Sequence, residues 1–252
     1  MRLSAVILTK NAGRTLSRCL ESVDFADEIV VFDAGSTDNT AELARAAGAR
    51  LLVSADWPGF GPQRQRAQAH ARGCWILWID ADEVVTPELK AQILAALEDR
   101  DPAVVYRVNR LTCFFGRFIR YSGWHPDRIV RLYRRDEFTY DDALVHEKVR
   151  CAGARIKDLQ GHLLHYTTEE FSSYLEKDAR YVDAWAADRS RQGRTASLFS
   201  ACMHGMAAFL RHFLLRRGFL DGAHGFLLAA ISGSYTFNKY AALWLKRRTA
   251  AR

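Results

Sequence analysis

Apolar residues in the first hundred positions come in short blocks, alternately dense and helically spaced. "LSAVILTK" is a short run with β-branched residues and predicts a buried strand ending at Thr9. In "NAGRTLSRCLESV", Leu16, Leu20 and Val23 share one helical face. "EIVVFDAGSTDNT" predicts a second strand, Ile29 to Phe32, stopped at Asp33 by a Gly-Ser turn. A helix follows, with Asn39 and Glu42 as a capping box and Gly48 as its stop. "RLLVS" gives a third strand; after the "DWPGFGP" loop, Gln63 to Arg72 reads as a helix leading into the "WILWI" strand. "TPELKAQILAALE" closes this stretch as a helix with Thr86 as N-cap and Pro87 in first position.

Strand and helix alternating in units of twenty to thirty residues predict an α/β fold with a largely parallel sheet. Beyond residue 100 the pattern changes. "AVVYRVNRLTCFFGRFI" and "DRIVRLYRR" alternate apolar and basic residues, as strands with one wet, positive face would. From Glu169 onward three helical stretches follow, the last two rich in Phe, Leu, Trp and Tyr with basic residues at their ends. The expected division is a domain over 1–168, in two parts (1–99 and 100–168), with a helical amphipathic extension over 169–252.

Composition narrows this picture. At 252 residues, 49% apolar and 26% charged, the chain can bury one sizeable core. Its five cysteines are scattered without a CxxC pair, which argues against a disulfide framework or structural zinc and fits a reducing compartment. The N-terminal apolar run is short and lacks a cleavage site, so it reads as a strand and not a signal peptide. The net charge of +7 is unevenly spread. Residues 1–99 hold ten Lys/Arg against fourteen Asp/Glu, and residues 180–252 hold twelve against three. Eight arginines lie from Arg107 to Arg135. A positive second half calls for an anionic partner: nucleic acid, acidic lipid or a phosphorylated substrate.

The chemistry concentrates where strands end. Thr9, Asp33 and Asp80 each close a predicted strand, and ligands of such sheets sit outside the carboxyl ends of the strands. In "GCWILWIDADE" the apolar run meets three carboxylates within four residues. Asp80 and Asp82, at i and i+2 of an extended segment, project to one side and would share a cation, magnesium or manganese, with a nucleotide diphosphate. The competing reading is an acidic turn ahead of the Thr86 helix.

"VILTKNAGRTLSRCLESV", "EIVVFDAGSTDNT" and "WILWIDADE", in that order and spacing, resemble the nucleotide-binding half of family 2 glycosyltransferases with the GT-A fold. "GWHPDRIVRLYRR", "VHEKV" and "LLHYTTEEFSSYLEKDARY", with the "RRGFLDGAHGFLLA" stretch, extend the resemblance to the lipopolysaccharide inner-core β-1,4-glucosyltransferase subgroup. The resemblance implies a GT-A, Rossmann-like sheet flanked by helices. It implies inverting transfer of a hexose, glucose first, from a UDP-sugar to a heptose of the lipopolysaccharide core. Galactose or an N-acetylhexosamine remains open as donor sugar, and another lipid-linked or cell-surface glycan as acceptor. The expected location is the inner face of the cytoplasmic membrane.

Carried over by position, Thr9 lines the nucleotide pocket and Asp33 recognises the uracil–ribose part. Asp80, Ala81 and Asp82 form the D-x-D motif, the first acid nearer the ribose and the second on the metal. Gln63 and Arg64 belong to the nucleotide-sugar site, with Arg64 on the pyrophosphate; Gln65 stands where relatives have Asn. Transfer needs a carboxylate to take the acceptor proton. Asp127, Asp141, Asp142 and Glu147 are the candidates; "VHEKV" favours Glu147, with Asp127 next. The competing reading of Glu147 is an exposed strand residue paired with Lys148 or Arg150. By resemblance His165 falls where some GT-A enzymes have a third metal ligand, the competing reading being a hydrogen-bonded core histidine. His146 is a weaker candidate, and Trp124, His125 and Arg128 are acceptor-side residues, with core packing the alternative for Trp124.

The tail has its own alternatives. Ala196–Leu215 is broken by His204, Arg211 and His212, and Phe219–Leu245 by Asp221 and Lys239, so an interfacial helix fits better than a spanning one. Arg216, Arg217, Lys246, Arg247 and Arg248 would meet acidic lipid. Packing between copies in a homo-oligomer is the other use of these helices. A metal-dependent nucleic-acid enzyme is the rival class, since basic and aromatic residues interleave in "RLTCFFGRFIRYSGW". It explains neither the Asp33 turn nor the apolar tail, and nucleic acid is not an expected partner. A catalytically dead lipid-binding scaffold would not need Asp33, Asp80 and Asp82 together.

Overall fold

In the computed structural model, which describes residues 1–144, 147–167 and 170–250, the first apolar run forms the central strand of a sheet. Strand β1 (Leu3–Thr9) lies between β2 (Glu28–Asp33) and β4 (Trp75–Asp80), parallel to both, and β3 (Arg50–Val53) adds outside β2. Side chains of a strand alternate between faces, and here both faces are apolar. Ala5, Ile7, Leu77 and Ile79 pack on α1 (Leu16–Ser22) and α4 (Pro87–Ala96). Val6, Val30, Ile76 and Trp78 face the opposite core with Ala67 of α3 (Phe60–His70). The register sets the site: Thr9 pairs with Asp33 and Leu8 with Asp80, so three strands deliver polar groups at one level.

The sheet continues beyond β4 in the order β3-β2-β1-β4-β8-β6-β9-β5, with β4–β8, β8–β6 and β9–β5 antiparallel. Here β5 is Glu83–Val85, β6 Val104–Phe114, β8 Asp127–Arg134 and β9 Arg155–Tyr166. The predicted parallel α/β half is present, as are β6 and β8; β5 and β9 were not foreseen. The stretch "GHLLHY" is the end of β9, which pairs antiparallel with β5.

Three local expectations need correction. Helix α2 (Thr40–Ala46) follows Asn39, but the Asn39 side chain makes no capping bond. Asp38 caps instead, its Oδ1 accepting from Thr40 N and Oγ1 at 3.1 and 2.5 Å. Helix α3 begins at Phe60, three residues before the predicted start, because Phe60 and Gly61 donate their backbone N–H to the Leu144 and Ala143 carbonyls. The arginines of β6 and β8 do not form a wet positive face. Arg107 pairs with Asp158, Arg110 with Asp127, and Arg131 is buried. At α4 the expectation holds: Thr86 Oγ1 accepts from Leu89 N at 3.3 Å, and Pro87 opens the helix.

The chain falls into two compact units, Met1–Leu111 with Asp127–Tyr166, and Thr112–Pro126 with Thr167–Arg252. The expected boundary at 168/169 lies outside the described residues. In the second unit β7 (Arg117–Phe118) pairs with the end of β6, and Phe114, Ile119, Leu228 and Ile231 make the core. Its helices are α5 (Phe171–Arg191), α6 (Leu198–Leu210) and α7 (Gly222–Ala250). A π-helical turn, Arg211–Leu215, extends α6, and a 3-10 turn, Gly218–Asp221, leads into α7. Helices α6 and α7 cross through facing glycines: a Cβ on Gly205 would stand 3.0 Å from the Gly233 carbonyl oxygen, a contact tight enough that the neighbouring helix would have to give way.

Candidate active site

Two loops at the strand ends are tied together by short polar side chains. Thr9 Oγ1 donates to Asp33 Oδ1 at 2.8 Å, and both residues are buried. Asp33 Oδ2 accepts from the backbone N–H of Gly35 and Ser36 at 3.1 and 2.7 Å, an Asx turn that fixes the carboxylate. Asn11, with φ of 50°, donates its backbone N–H to Ser36 Oγ and accepts from Thr37 N at 2.8 Å. Beside Thr9, a cavity of about 280 Å³ is lined by Leu8, Lys10, Trp57 and Phe60. Trp57 and Phe60 meet edge to face at 4.9 Å and are partly exposed. Asn11, Trp57 and Phe60 had not been singled out; the aromatic pair in "DWPGFGP" was the available signal.

At the end of β4 the acids separate. Strand β4 stops at Asp80, and Ala81–Asp82 turn the chain into β5, so the D-x-D segment is a turn and not the extended stretch expected. Asp80 accepts from Arg64 Nη2 at 2.7 Å through Oδ1 and from Arg131 Nη2 at 2.5 Å through Oδ2. Burial alone would raise the Asp80 carboxyl, but the Arg131 and Arg64 guanidiniums outweigh it and hold the group well below the carboxylate range. Glu83, fully buried, accepts from the same Arg131 Nη2 at 2.9 and 3.0 Å and from Asp80 N at 2.8 Å. Its carboxyl is raised, first by burial and then by Asp80, against the pull of Arg131. Asp82 instead lies beside His165, Oδ2 to Nε2 3.4 Å, with its side chain 38% exposed.

Arg64 joins the D-x-D turn to the predicted base. Its Nε donates to Glu147 Oε1 at 2.8 Å, and its guanidinium lies 5.0 Å from the ring centroids of both Trp78 and Tyr140. Burial pulls this guanidinium down, but Asp80 more than offsets it, so Arg64 stays charged. Glu147 is therefore not the exposed partner of Lys148 or Arg150; Arg150 pairs with Asp142. Gln63 is fully buried, and neither amide atom has a hydrogen-bond partner among the described residues; Arg64 Nη1 is likewise unpartnered. Gln65 bridges the Tyr140 carbonyl and Asp142 Oδ1, both at 2.9 Å.

The remaining predicted residues have partners of their own, and Arg110, which holds Asp127, also lies 3.5 Å from Glu83. Asp127 is held by Arg110 at 2.8 Å, and Arg128 pairs with Asp158 at 3.2 Å. Asp141 accepts from Ala143 N and Lys148 N, both at 3.2 Å. Trp124 packs on Phe114, 5.4 Å between centroids, in the second unit, which also contains His125. His146 lies outside the described residues. Arg131 and Glu83 were missed as site residues. Three carboxylates in four residues require buried cations, and Arg131, next to the apolar Leu132, was the available signal.

The family model for glycosyl transferase family 2 matches residues 4–164. The chain is 28% identical to a lipopolysaccharide core biosynthesis glycosyltransferase of Rhizobium meliloti over 260 residues, covering 99% of this chain and 94% of the relative. It is also 28% identical over 254 residues to an uncharacterized glycosyltransferase of Rickettsia typhi, covering 96% and 86%. Among solved structures it resembles S. aureus TarS at 18% identity and a TM-score of 0.46, covering 88% of this chain and 46% of that one.

Proposed function

This chain belongs to glycosyl transferase family 2 and is a glycosyltransferase, and we propose that it moves a hexose, glucose in the first instance, from a UDP-sugar to a heptose of the lipopolysaccharide inner core. The similarity to a lipopolysaccharide core enzyme along nearly the whole chain supports the acceptor class. The observation that carries the chemistry is the Asp80–Arg64–Glu147 chain of ion pairs at the strand ends, in the same unit as the Thr9–Asp33 pair. Transfer to another lipid-linked glycan is the second reading, favoured by the basic apolar tail, which any anionic glycolipid would suit. On either reading the enzyme works at the inner face of the cytoplasmic membrane, as a peripheral protein.

On this reading Asp33 and Thr9 hold the uridine, with the flat faces of Trp57 and Phe60 near the base. Gln63 and Arg64 bring unpartnered buried polar atoms to the donor, groups that a polar ligand would satisfy. The residues also fit a divalent cation. Asp80 is engaged through both oxygens by arginines, which leaves Asp82 and His165 as the pair to hold it. One carboxylate with one imidazole suits Mn2+, and the carboxylate alone suits Mg2+. Among the described residues no three of His, Cys, Asp and Glu converge as a ligand set, so donor phosphate oxygens and water would complete the shell. When bound, the cation offsets the negative charge on the departing diphosphate.

Glu147 takes the proton of the acceptor hydroxyl as its oxygen attacks the anomeric carbon from the side opposite the leaving group, which inverts the configuration. Arg64 holds Glu147 through Oε1 and keeps it beside the D-x-D turn. Asp127, tied to Arg110, is the second candidate for this role. The test is release of the nucleoside diphosphate from four donors, UDP from UDP-glucose, UDP-galactose and UDP-N-acetylglucosamine and GDP from GDP-mannose, with a heptose-terminated core as acceptor. Fastest turnover of UDP-glucose with a β-linked product is expected. Turnover only with a different lipid-linked glycan selects the second reading.

A further inference from the structure

Helix α6 packs against α7 with a narrow seam and leaves most of its surface bare. Across Leu198–Leu215, 18 residues of mean hydropathy 1.3, only Ala201 and Gly205 are buried. Phe199, Met203, Met206, Leu210 and Leu214 are all exposed, at spacings of three and four, so they form one apolar stripe. Leu215 is 80% exposed at its end, and Phe219, Leu220 and Phe226 continue the apolar surface onto the 3-10 turn and the start of α7. Isolated exposed hydrophobics need no explanation, but a contiguous stripe with a defined rim marks an interaction surface.

The rim has one sign. Between Asp188 and Asp221 the sequence holds no Asp or Glu but six arginines, and no acid follows Asp221. Asp221 does not offset them: it is 3% exposed and its carboxylate accepts from the backbone N–H of Arg120 and Tyr121 at 3.1 and 2.9 Å. Arg211 interrupts the apolar run, Arg216 and Arg217 close it, and Arg194 precedes it; all four are exposed. A partner must therefore take apolar side chains out of water and meet guanidinium groups at the same level. A nucleic-acid backbone offers charge without an apolar phase. The acyl–headgroup boundary of an anionic bilayer offers both.

We propose that the α6 stripe, Phe199 to Leu215 with its arginine rim, is the element by which the second unit lies in the surface of an anionic membrane. The helix lies in the plane of the interface. His204 and Arg211, along its length, oppose a spanning placement. This deepens the peripheral membrane reading given above and is independent of the donor chemistry.

The test uses the full-length protein and sedimentation with vesicles of phosphatidylcholine alone or mixed with phosphatidylglycerol. Binding to the mixed vesicles only, weakened by salt, is expected. Arg211→Gln with Arg217→Gln should lower the partition coefficient about thirtyfold, and Phe199→Ser with Leu215→Ser by a similar factor. With Leu215→Trp, the indole should shift to the blue on mixed vesicles and be quenched by lipids brominated near the headgroup. Equal binding to both vesicle types, or binding unchanged in both double variants, overturns the proposal. So does quenching only at the bilayer centre, which marks a spanning helix. A dimer by light scattering that Phe199→Ser with Leu215→Ser dissociates overturns it in favour of a second copy of this chain. UDP-glucose titration of each variant separates the two readings, since the stripe variants should bind the donor as the parent does.

Discussion

The Arg64 guanidinium meets the Glu147 carboxylate at 2.8 Å across 83 residues of chain, and its other arm reaches Asp80. A turn at the end of one strand and a loop far along the sequence are thus held through one buried cation. If Glu147 is the base, Glu147→Gln should lower kcat by a factor of about 10²–10⁴ while leaving UDP-glucose affinity unchanged. Asp127→Asn should keep most of the activity, because that carboxylate pairs with Arg110 and not with Arg64, the guanidinium that reaches Asp80. Steady-state kinetics and calorimetry on the two variants decide; the reverse ranking moves the base to Asp127.

Arg131 is the other buried cation, and its Nη2 serves Asp80 and both oxygens of Glu83. Arg131→Met should cost about 3–5 kcal/mol, because it takes from the fully buried Glu83 the guanidinium that faces both its oxygens. Adding Glu83→Gln should recover part of that loss by removing one uncompensated charge. Urea unfolding of the single and double variants measures it. A loss below about 1 kcal/mol, usual for an exposed pair, would contradict the account.

Gln63 tests whether the site holds polar groups in reserve for a ligand. A buried amide without partners costs about 1–3 kcal/mol. Gln63→Met should therefore raise the unfolding free energy of the ligand-free protein and weaken UDP-sugar binding. Thermal unfolding read beside titration checks both. A variant that is destabilised and binds the donor normally would show a purely structural glutamine.

Acid stability should carry the signature of Asp99, away from the site. Hydrogen bonds from Lys157 and Tyr106, each 2.7 Å, and from Asp101 N hold its carboxyl well below the ordinary range. A depressed carboxylate stabilises the fold fully above its unfolded pKa of about 3.9 and loses that contribution as pH falls through the folded value. The stability gap between the parent and Asp99→Asn should thus be constant at neutral pH and narrow below about pH 4. Denaturant midpoints across this range measure it, and a gap that widens on acidification would contradict the sign.

What the sequence made legible follows the range of the interactions. Strands β1, β2 and β4 and the strand-end positions of Thr9, Asp33 and Asp80 were readable, because a dense apolar run and the polar residue that ends it are local features. The Thr86 cap was local too, and it was read correctly. The fate of an arginine is not local. Arg131 and Arg128 sit three residues apart in one strand, yet one is buried between two carboxylates and the other is half exposed beside Asp158. Strand β9 pairs with β5 across some eighty residues, and β5 itself has only three residues, too few to show a period. The Asn39 capping box lost to Asp38, the neighbouring residue, whose carboxylate accepts from Thr40 while the Asn39 side chain makes no capping bond.

The central claim is a UDP-hexose site in which Asp82 and His165 hold the cation beside the Asp80–Arg64–Glu147 chain. Calorimetric titration with UDP-glucose, with and without Mn2+, on the parent and Asp82→Ala tests it most directly. The account predicts Mn2+-dependent binding of UDP-glucose, lost in Asp82→Ala. Binding that is indifferent to Mn2+ and to Asp82→Ala, or no binding of any UDP-sugar beside tight, salt-sensitive binding of RNA or DNA, would contradict it.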